Sequence, residues 1–596
     1  MKLVIPHTGT LQPSDDRLSK LSRFLGVTCE PLFLDREARH YAEYLSEALH
    51  NQDCCLAINP RVIEQWTGGT LPAALVSCLT SRFPYLLVHG LSEDCFSEKL
   101  LKALSNDRLC GVRRIADTGQ QYEIAANSRD ICEAFSGVSF GPVNPANDHV
   151  FSVKPDNPTV RTPITIGGDP FMAVVKRDKT EIVFLASKDT LDVNHEIGNA
   201  RLSEYFSRFL PQAMAVRYMF GEESWRPLEH HASIIIDDPL LRPTYGFLNF
   251  ERLLRLVEEF NLFVTIAFIP YNYRRNSRRI VRMFRENRER LAICFHGNDH
   301  TTEELASSDI SRLNTMLDIA ESRMSIHHKS SGVDCHRVMV FPQEYFSVEA
   351  MKVLKSRNFH AATSSMSHPA HRAVSLTIAE LAQPAVLRYG GFPLFLRKYS
   401  RDIKKQDIAF NLFFGRPILI VDHHDVFRCP ETLLEAVSMV KSVAPGISWC
   451  DLETAVAKST LIRTSPDGIR HIRAYSGTVR IVNDRDSLQR YSVEWNDLGQ
   501  CPSPEQVRKG GKPCRSFEVD ESGTHVALEL APGKSETLSL VYRNNYPRLR
   551  GLGFSWMAKA YVRRRLSEVR DNYVSKNQHV LAFVKMLQQR VLANGV

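Results

Sequence analysis

Three polar clusters end apolar runs in the middle of this 596-residue sequence, and their residue types could hold a metal ion and move protons. The clusters are Asp237-Asp238, His296-Gly297-Asn298-Asp299-His300 and Asp422-His423-His424-Asp425. Adjacent carboxylates after three isoleucines are costly to desolvate unless a cation or hydrogen bonds compensate them. Two imidazoles four residues apart can face the same way on one turn and chelate a single ion.

The chemistry that such residues support is metal-assisted hydrolysis. Two histidines and one carboxylate leave coordination positions open for water and for a carbonyl oxygen. A further carboxylate and a further histidine beside the metal could then serve as general base and general acid. The same ligand set also forms the iron site of non-haem oxygenases, so the ligands alone do not choose the metal.

The clusters fall where strands of a parallel sheet are expected to end. Between His230 and Ser459 the sequence alternates strands with helices, and about seven apolar runs are typical of parallel strands. The runs are 233–237, 262–269, 291–295, 337–341, 361–364, 417–421 and 447–450. Such strands close most naturally into a (β/α) barrel, whose working residues lie at the carboxyl ends of the strands.

The order of the clusters resembles the polysaccharide deacetylase family, also called the chitooligosaccharide-deacetylase homology domain or carbohydrate esterase family 4. The resemblance covers residues 230–460. It rests on an Asp-Asp pair, an H-x-x-x-H motif some 58 residues later, a Pro-bearing strand end and a late His-Asp. It implies a distorted (β/α)7 barrel, a divalent metal that we expect to be zinc, and removal of acetyl groups from N- or O-acetylated sugars.

The resemblance also implies a role for each matching residue. Asp238, His296 and His300 match the metal ligands of the family. Asp237 matches its catalytic base, and His424 matches the acid that protonates the leaving group. His423 is the second choice for the acid. We expect Asp422 or Asp425 to orient and charge-stabilise the protonated imidazole.

Two departures mark the chain as a divergent member of that family. The first motif reads Ile-Ile-Asp-Asp-Pro where the family has Thr-Phe-Asp-Asp-Gly, and Val340 stands where the family has an arginine that orients the base. We expect Arg337 or a residue from another loop to replace that arginine. Candidates for sugar binding, which ordinary loop packing would explain equally well, are Tyr271, Asn272, Gln343 and Tyr345.

The rest of the chain predicts further domains around the barrel. Apolar runs about 27 residues apart near the N-terminus predict a doubly wound α/β domain, and alternating runs after residue 468 predict a small antiparallel sandwich. The expected order is an accessory α/β domain over 1–150, a connecting α+β region over 151–229, the barrel over 230–460, a β-sandwich over 461–545 and a basic amphipathic helical tail over 546–596.

The tail carries the net charge of the chain. The formal charge is +8, and residues 546–596 contain ten Lys or Arg but only two acids. A nucleic-acid footprint over the whole protein is therefore not expected. Val562, Leu566, Val569 and Tyr573 form an apolar helical stripe. The stripe favours either docking on the body with a solvated basic face or peripheral contact with an anionic membrane surface.

Composition favours a cytoplasmic enzyme. Apolar content of 43% and charged content of 24% are typical of globular proteins, and the thirteen scattered cysteines do not form a disulfide framework. The N-terminus lacks the pattern of a signal peptide, and no apolar run reaches the length of a membrane span. The expected substrate is therefore a nucleotide-linked or lipid-linked acetylated sugar of surface-polysaccharide assembly. The alternatives are a catalytically silent carbohydrate-binding relative and another metal-dependent hydrolase or oxygenase.

Overall fold

A computed structural model describes residues 1–38, 40–49, 53–115, 119–154, 160–198, 202–372, 374–496 and 503–576. The structure is mixed α/β, with two large sheets that contain runs of parallel strands and two smaller sheets near the C-terminus. The α-helices are Pro13–Phe24, Tyr41–Ala48, Pro60–Thr67, Ala73–Arg82, Cys95–Ser105, Arg129–Cys132, Phe206–Phe220, Phe250–Glu259, Arg278–Glu286, Ile310–Ser331, Val348–Ser356, Ile378–Leu381, Lys405–Phe413, Glu431–Val443, Leu452–Ala457 and Phe554–Val569. Within the described ranges, none of these helices has the length and apolar character needed to span a bilayer.

The N-terminal sheet has nine strands. In spatial order they are Cys29–Phe33, Lys2–His7, Cys54–Ile58, Tyr85–Val88, Thr180–Leu185, Asp169–Arg177, Arg161–Ile166, Tyr122–Ile124 and Ser139–Phe140. The first five are parallel to one another, in agreement with the predicted βα rhythm of this region. The strands of residues 161–185 pair with this sheet, so they extend it and do not form a separate connecting region.

The central sheet carries the three polar clusters. In spatial order its strands are Leu394–Leu396, Ala361–Ser364, Cys335–Val340, Leu291–Phe295, Val264–Phe268, His231–Asp237, Ile418–His423 and Lys398–Tyr399, with Ser448–Trp449 as a branch on His231–Asp237. All of their pairings are parallel. Each of the seven runs predicted from the sequence contains a strand, because strands buried on both faces have continuous apolar sequences. The two short strands around Arg397 were not predicted.

The two edge strands of the central sheet are almost consecutive in the chain. Leu394–Leu396 pairs with Ala361–Ser364 at one edge, and Lys398–Tyr399 pairs with Ile418–His423 at the other. A single residue, Arg397, separates the two edge strands. The chain therefore passes from one edge of the sheet to the other through that residue.

The pairing register brings the carboxyl ends of the strands to one rim. Asp237 lies opposite His423 on one side and opposite Ala267 on the other, and Phe268 lies opposite Phe295. The residues that follow these strands must therefore gather at the same rim. Asn249 helps to fix the return path, because its side chain accepts from the first backbone amides of the helix Phe250–Glu259.

Two smaller sheets follow the central sheet, where the sequence predicts an antiparallel sandwich. Their pairings are antiparallel except that Arg470–Ala474 pairs in parallel with Gln489–Trp495. One contains Arg226–Pro227, Thr460–Thr464, Arg470–Ala474, Gln489–Trp495, Gly523–Leu530 and Glu518–Asp520, and the other contains Thr478–Val482, Ser535–Val541, Gln506–Lys509 and Lys512–Cys514. Their inner faces share one apolar core. Short ladders elsewhere are Leu109–Arg114 with His149–Val153, Thr244–Tyr245 with Leu248–Asn249, and Glu196–Ile197 with Leu376–Thr377.

The C-terminal helix, Phe554–Val569 with a π-helical turn over Arg570–Val574, docks on the rim of the central sheet with its polar face. The buried residues are Ala560, Arg564 and Asp571. The apolar stripe faces outward, and Leu566 is 65% exposed. The prediction of a docked helix with a solvated basic face is therefore wrong about orientation. The reason is that the body offers this helix polar partners at the rim.

Candidate metal centre and active site

Asp238, His296 and His300 converge at the rim of the central sheet. One ligand atom from each lies within 4.8 Å of the others. The two imidazole Nε2 atoms lie 3.5 Å (His296) and 3.1 Å (His300) from the same oxygen, Oδ1 of Asp238. Asp238 and His300 both adopt positive φ angles, of 82° and 53°. Strained backbone of this kind in non-glycine residues is concentrated at functional sites.

The atoms that face one another in this cluster have a cation as their natural partner. Within the described ranges, Oδ1 of Asp238 and Nε2 of His296 are buried and have no hydrogen-bond partner. The other ring nitrogen of His296, Nδ1, donates to the carbonyl oxygen of Val340 at 2.9 Å, which leaves the lone pair on Nε2. The donor set therefore fits a divalent metal ion.

The charges around the cluster favour a positive ion in it. Burial lowers the pKa of His300 to about 3, so this ring is a neutral ligand. Burial acts in the same direction on His296, but the nearby charges of Asp237 and Asp238 outweigh it and raise the pKa of that ring. The two carboxylates thus attract positive charge to the cluster, which either a proton on His296 or a metal ion would supply.

The loop that carries the two histidines is held by the buried carboxylate of Glu304. Glu304 accepts hydrogen bonds from the backbone amides of Asn298, Asp299 and Thr301 at 2.8, 3.1 and 3.2 Å. Gly297 has a φ of 63°, and a Cβ there would lie 1.9 Å from Oε1 of Glu304. The sequence predicted a shared face for the histidines, and this glycine turn is how they reach it.

Asp237 lies beside the cluster and is held by the arginine that links the two edge strands of the central sheet. Arg397 donates to both oxygens of Asp237 at 2.9 Å and to Glu344 at 2.7 Å. Burial alone would raise the pKa of Asp237, but the charge of Arg397 outweighs it and lowers that pKa. Asp237 is therefore ionised at neutral pH. The expectation for Arg337 is wrong, because Arg337 instead binds Glu321.

His424 has a carboxylate partner that the sequence analysis did not name. Its Nε2 lies 3.5 Å from Oδ1 of Asp571, and the Tyr245 hydroxyl donates to the other oxygen of Asp571 at 2.6 Å. Burial opposes ionisation of Asp571, but its contacts with His424, Arg570 and Tyr245 lower its pKa. The expected partners lie elsewhere: Asp422 is beside Ser400, and Asp425 is exposed.

The remaining candidates lie on two sides of the rim. Tyr271 packs under Arg323 with 5.3 Å between the guanidinium carbon and the ring centre, and the buried Asn272 accepts from Arg275. These two residues lie beneath the C-terminal helix, because Arg275 also binds Glu568. On the other side, Gln343 is exposed and Tyr345 stacks on His371. His423 is half-buried and stacks on Tyr399.

Arg397 and Asp571 are the residues that sequence reasoning missed. Arg397 follows the apolar run Leu394-Phe395-Leu396, and a charge at the end of such a run is the signal that marked the other three clusters. Asp571 gave no comparable signal. In a basic, helical chain end, an aspartate is indistinguishable from a solvated surface charge.

Comparisons with known proteins agree with the resemblance seen in the sequence. No protein-family model matches the chain, and no curated protein matches its sequence. Among solved structures, the chain is similar to the carbohydrate deacetylase Agd3, with 9% identity over 90% of this chain and 98% of that chain and a TM-score of 0.47. It is also similar to a family 4 carbohydrate esterase from Streptomyces lividans, with 12% identity over 38% and 92% of the two chains and a TM-score of 0.22.

A third similar structure is the catalytic domain of a peptidoglycan N-acetylglucosamine deacetylase from Eubacterium rectale. It has 12% identity over 39% of this chain and 91% of that domain, with a TM-score of 0.23. The three structural neighbours are thus carbohydrate deacetylases or esterases. Because every TM-score is below 0.5, the case for an activity in this chain rests on the geometry of the site.

Asp422 gives the site a pH-dependent stability that can be measured. Burial raises its pKa to about 6, so the folded state favours the protonated acid. Its contribution to stability is fully present below the unfolded pKa of 3.8 and is lost as the pH rises through about 6. The full loss is about 3 kcal/mol, of which about 2 kcal/mol falls between pH 4.5 and 7.5. We expect Asp422→Asn to remove this component, so that the free energy of unfolding falls less between pH 4.5 and 7.5 than in the parent.

Urea unfolding at several pH values measures this dependence of the free energy of unfolding on pH. Asp486→Asn, which changes an exposed carboxylate far from Asp422 along the chain, should keep the parental slope. An unchanged slope in Asp422→Asn would contradict the assignment.

Proposed function

We propose that the chain is a metal-dependent deacetylase that removes acetyl groups, N-acetyl by preference, from a sugar of a surface polysaccharide or glycoconjugate under assembly. The observation that carries the proposal is the convergence of Asp238, His296 and His300 with a separately held Asp237 beside them. We further propose that the central sheet is the distorted (β/α)7 barrel of such an enzyme, with the site at its rim.

Each side chain of the site has a proposed task. A divalent ion on Asp238, His296 and His300, for which we propose zinc, would supply a Lewis acid that activates water and stabilises negative charge on the carbonyl oxygen. Asp237, ionised and aligned by Arg397, accepts the proton of the attacking water. His424 donates a proton to the departing amine, and Oδ1 of Asp571 lies 3.5 Å from its Nε2.

Arg397 bears on the choice between an enzyme and a silent relative. The sequence favoured a non-catalytic carbohydrate-binding module only through the missing arginine at position 340. The guanidinium of Arg397, which lies between the two edge strands, donates two hydrogen bonds of 2.9 Å to Asp237. The feature that supported the silent alternative is thereby removed.

Acetate release tests the activity. We expect the parent protein to release acetate from N-acetylated sugars, to lose this activity with a chelator and to regain it with zinc. Asp237→Asn should keep bound metal but lose activity by about 100-fold or more, since a general base contributes about 10²- to 10⁴-fold. His300→Ala should lose the metal itself, measured by elemental analysis, whereas the exposed His371→Ala should keep both. Bound metal without acetate release from any sugar would favour a binding module, and dependence on iron and oxygen would favour an oxygenase.

Asp571 acts through His424 in this scheme, and its replacement gives a distinct kinetic result. We expect Asp571→Asn to lower kcat by about tenfold with little change in KM or bound metal, because His424 loses the carboxylate that lies 3.5 Å from its Nε2. Glu568→Gln removes another contact between the same helix and the body, so it is the matched control. An equal loss in both variants would mean that docking alone matters, and a rise in kcat would mean that Asp571 blocks the site.

The outward face of the C-terminal helix supports a proposal about location. Phe554, Leu566 and Tyr573 are 82, 65 and 73% exposed, and exposed Lys559, Arg565, Arg570 and Lys576 flank them. Apolar residues with a basic border suit an anionic lipid surface. All twelve cysteines in the described part of the chain are free, which suits a reducing compartment. We therefore propose peripheral contact with the cytoplasmic face of a membrane, where nucleotide-linked or lipid-linked sugars are available.

Vesicle flotation tests the membrane proposal. The parent should float with vesicles that contain phosphatidylglycerol and much less with vesicles of phosphatidylcholine alone. Leu566→Glu should weaken binding about tenfold, because it removes a large apolar side chain from the contact and adds a negative charge. Leu488→Glu changes a similarly exposed leucine, 59% exposed, on the sandwich and should not alter flotation. Unchanged flotation of Leu566→Glu would exclude this surface and favour a protein partner.

A further inference from the structure

Arg564 is a buried cation that lacks an anion. The residue is 5% exposed, and its Nε is buried without a hydrogen-bond partner. No hydrogen bond or ion pair joins its side chain to any residue in the described ranges. A buried guanidinium without compensation is strongly unfavourable, so such a group indicates a missing negative partner.

The contacts of the C-terminal helix locate this cation over the site. Trp556 donates to Asp299, which precedes a metal-ligand histidine, at 2.9 Å. Asp571 lies against His424 at the other end of the helix. Arg564 is eight residues after Trp556 and seven before Asp571, so it lies about 12 Å and about 10 Å from them along the axis. The helix thus spans the rim, and Arg564 is near the middle of its inner face.

The burial of a neighbouring residue agrees with that position. Ala560, one turn earlier, is also buried, so this face of the helix points inward over at least that turn. Arg564 therefore faces the space between the metal ligands and the candidate acid.

The carboxylates of the rim are already engaged and do not serve Arg564. Their partners are Arg397 for Asp237 and Glu344, Arg323 for Asp299, Arg275 for Glu568, backbone amides for Glu304, Tyr245 and Arg570 for Asp571, and the two ligand histidines for Asp238. The charge that would neutralise Arg564 must therefore come from outside this set.

A basic cleft lies next to the same helix. It has a volume of about 490 Å³ and lies between residues 240–245 and the helix. Its walls include Arg242, Arg565 and Lys576, whereas its one acid, Glu568, is bound to Arg275. Tyr245 lines the cleft and also donates to Asp571, so the cleft adjoins the site.

We propose that Arg564, together with this cleft, binds a negatively charged group of the substrate, a phosphate or a carboxylate attached to the acetylated sugar. This inference rests on the proposed deacetylase function and names the substrate class of that site. A guanidinium suits both groups, because its donors match two oxygens of either anion. A neutral acetylated sugar would leave Arg564 unpaired when it fills the site.

Substrate competition tests the inference on the full chain. We expect a higher kcat/KM for N-acetylglucosamine 1-phosphate or for N-acetylmuramic acid than for neutral N-acetylglucosamine. Arg564→Gln should reduce the preference by about 10- to 100-fold, the effect of one charge-assisted hydrogen-bonded pair. Lys559→Gln, which changes an exposed cation on the same helix, should leave the preference unaltered. A preference for the phosphate alone indicates a phosphorylated carrier, and equal preference indicates recognition of charge.

Calorimetric binding of inorganic diphosphate gives a readout that does not need turnover. The metal content is measured in each variant and held equal, so a difference between the parent and Arg564→Gln reports the guanidinium. We expect binding to weaken about tenfold or more in Arg564→Gln and less in Arg564→Lys, which keeps the charge. Arg242→Gln, on the exposed wall of the cleft, should also weaken binding and does not depend on a buried substitution.

The two proposals fail in different ways. Acetate release from neutral and charged sugars at equal rates, with the same loss for both in Arg564→Gln, would overturn the anion site but leave the deacetylase intact. No acetate from any sugar would overturn the deacetylase, and the diphosphate measurement would still decide the anion site. Equal diphosphate binding by the parent, Arg564→Gln and Arg242→Gln would overturn it.

Discussion

Two neighbouring carboxylates at the end of a fully buried strand set the constraint on which this site depends. Asp237 and Asp238 are adjacent in a low-dielectric region, and both can ionise only if each has its own positive partner. Arg397 is that partner for Asp237, and the two imidazoles with the ion they would hold are that partner for Asp238. Because the partners differ, the two carboxylates have different electrostatic environments, as the proposed roles of general base and metal ligand require.

The partner of Asp237 also lies between the two edge strands of the central sheet. The backbone that links these two strands is therefore the backbone that delivers the guanidinium of Arg397. Glu344 holds the second side of the same group. The position of the charge is therefore fixed by strand pairing on two sides, which is a rigid way to align a base. An arginine at position 340 is therefore not required to align Asp237.

Much of the site could be predicted because parallel strands align their ends. Apolar runs that finish in Asp, His or both located Asp237, Asp238, His296 and His424, and the register then brought them to one rim. The partners of these residues could not be predicted in the same way. Asp571 meets His424 across almost 150 residues, and pattern alone does not contain such a pairing.

Helix periodicity has a related limit. It identified the stripe that includes Val562, Leu566 and Val569, but it does not say which face meets the body. The usual assumption that the apolar face is inside fails here, because Asp571 and Trp556 find polar partners at the rim. The N-terminal sheet shows the same limit at larger scale: strands within 161–185 were visible in the sequence, but their place beside Tyr85–Val88 in that sheet was not. Local sequence pattern predicts the helices and strands, whereas long-range pairing decides which of them become neighbours.

The docking of the last helix makes the far end of the chain part of the working unit. Every residue of the recognisable motifs lies before residue 430, yet a chain that stopped there would lack the carboxylate beside His424 and the roof over the ligands. A motif search that ends at residue 430 would therefore miss two parts of the candidate site. Residues 554–574, although far from the motifs along the chain, belong to the same folded unit as those motifs.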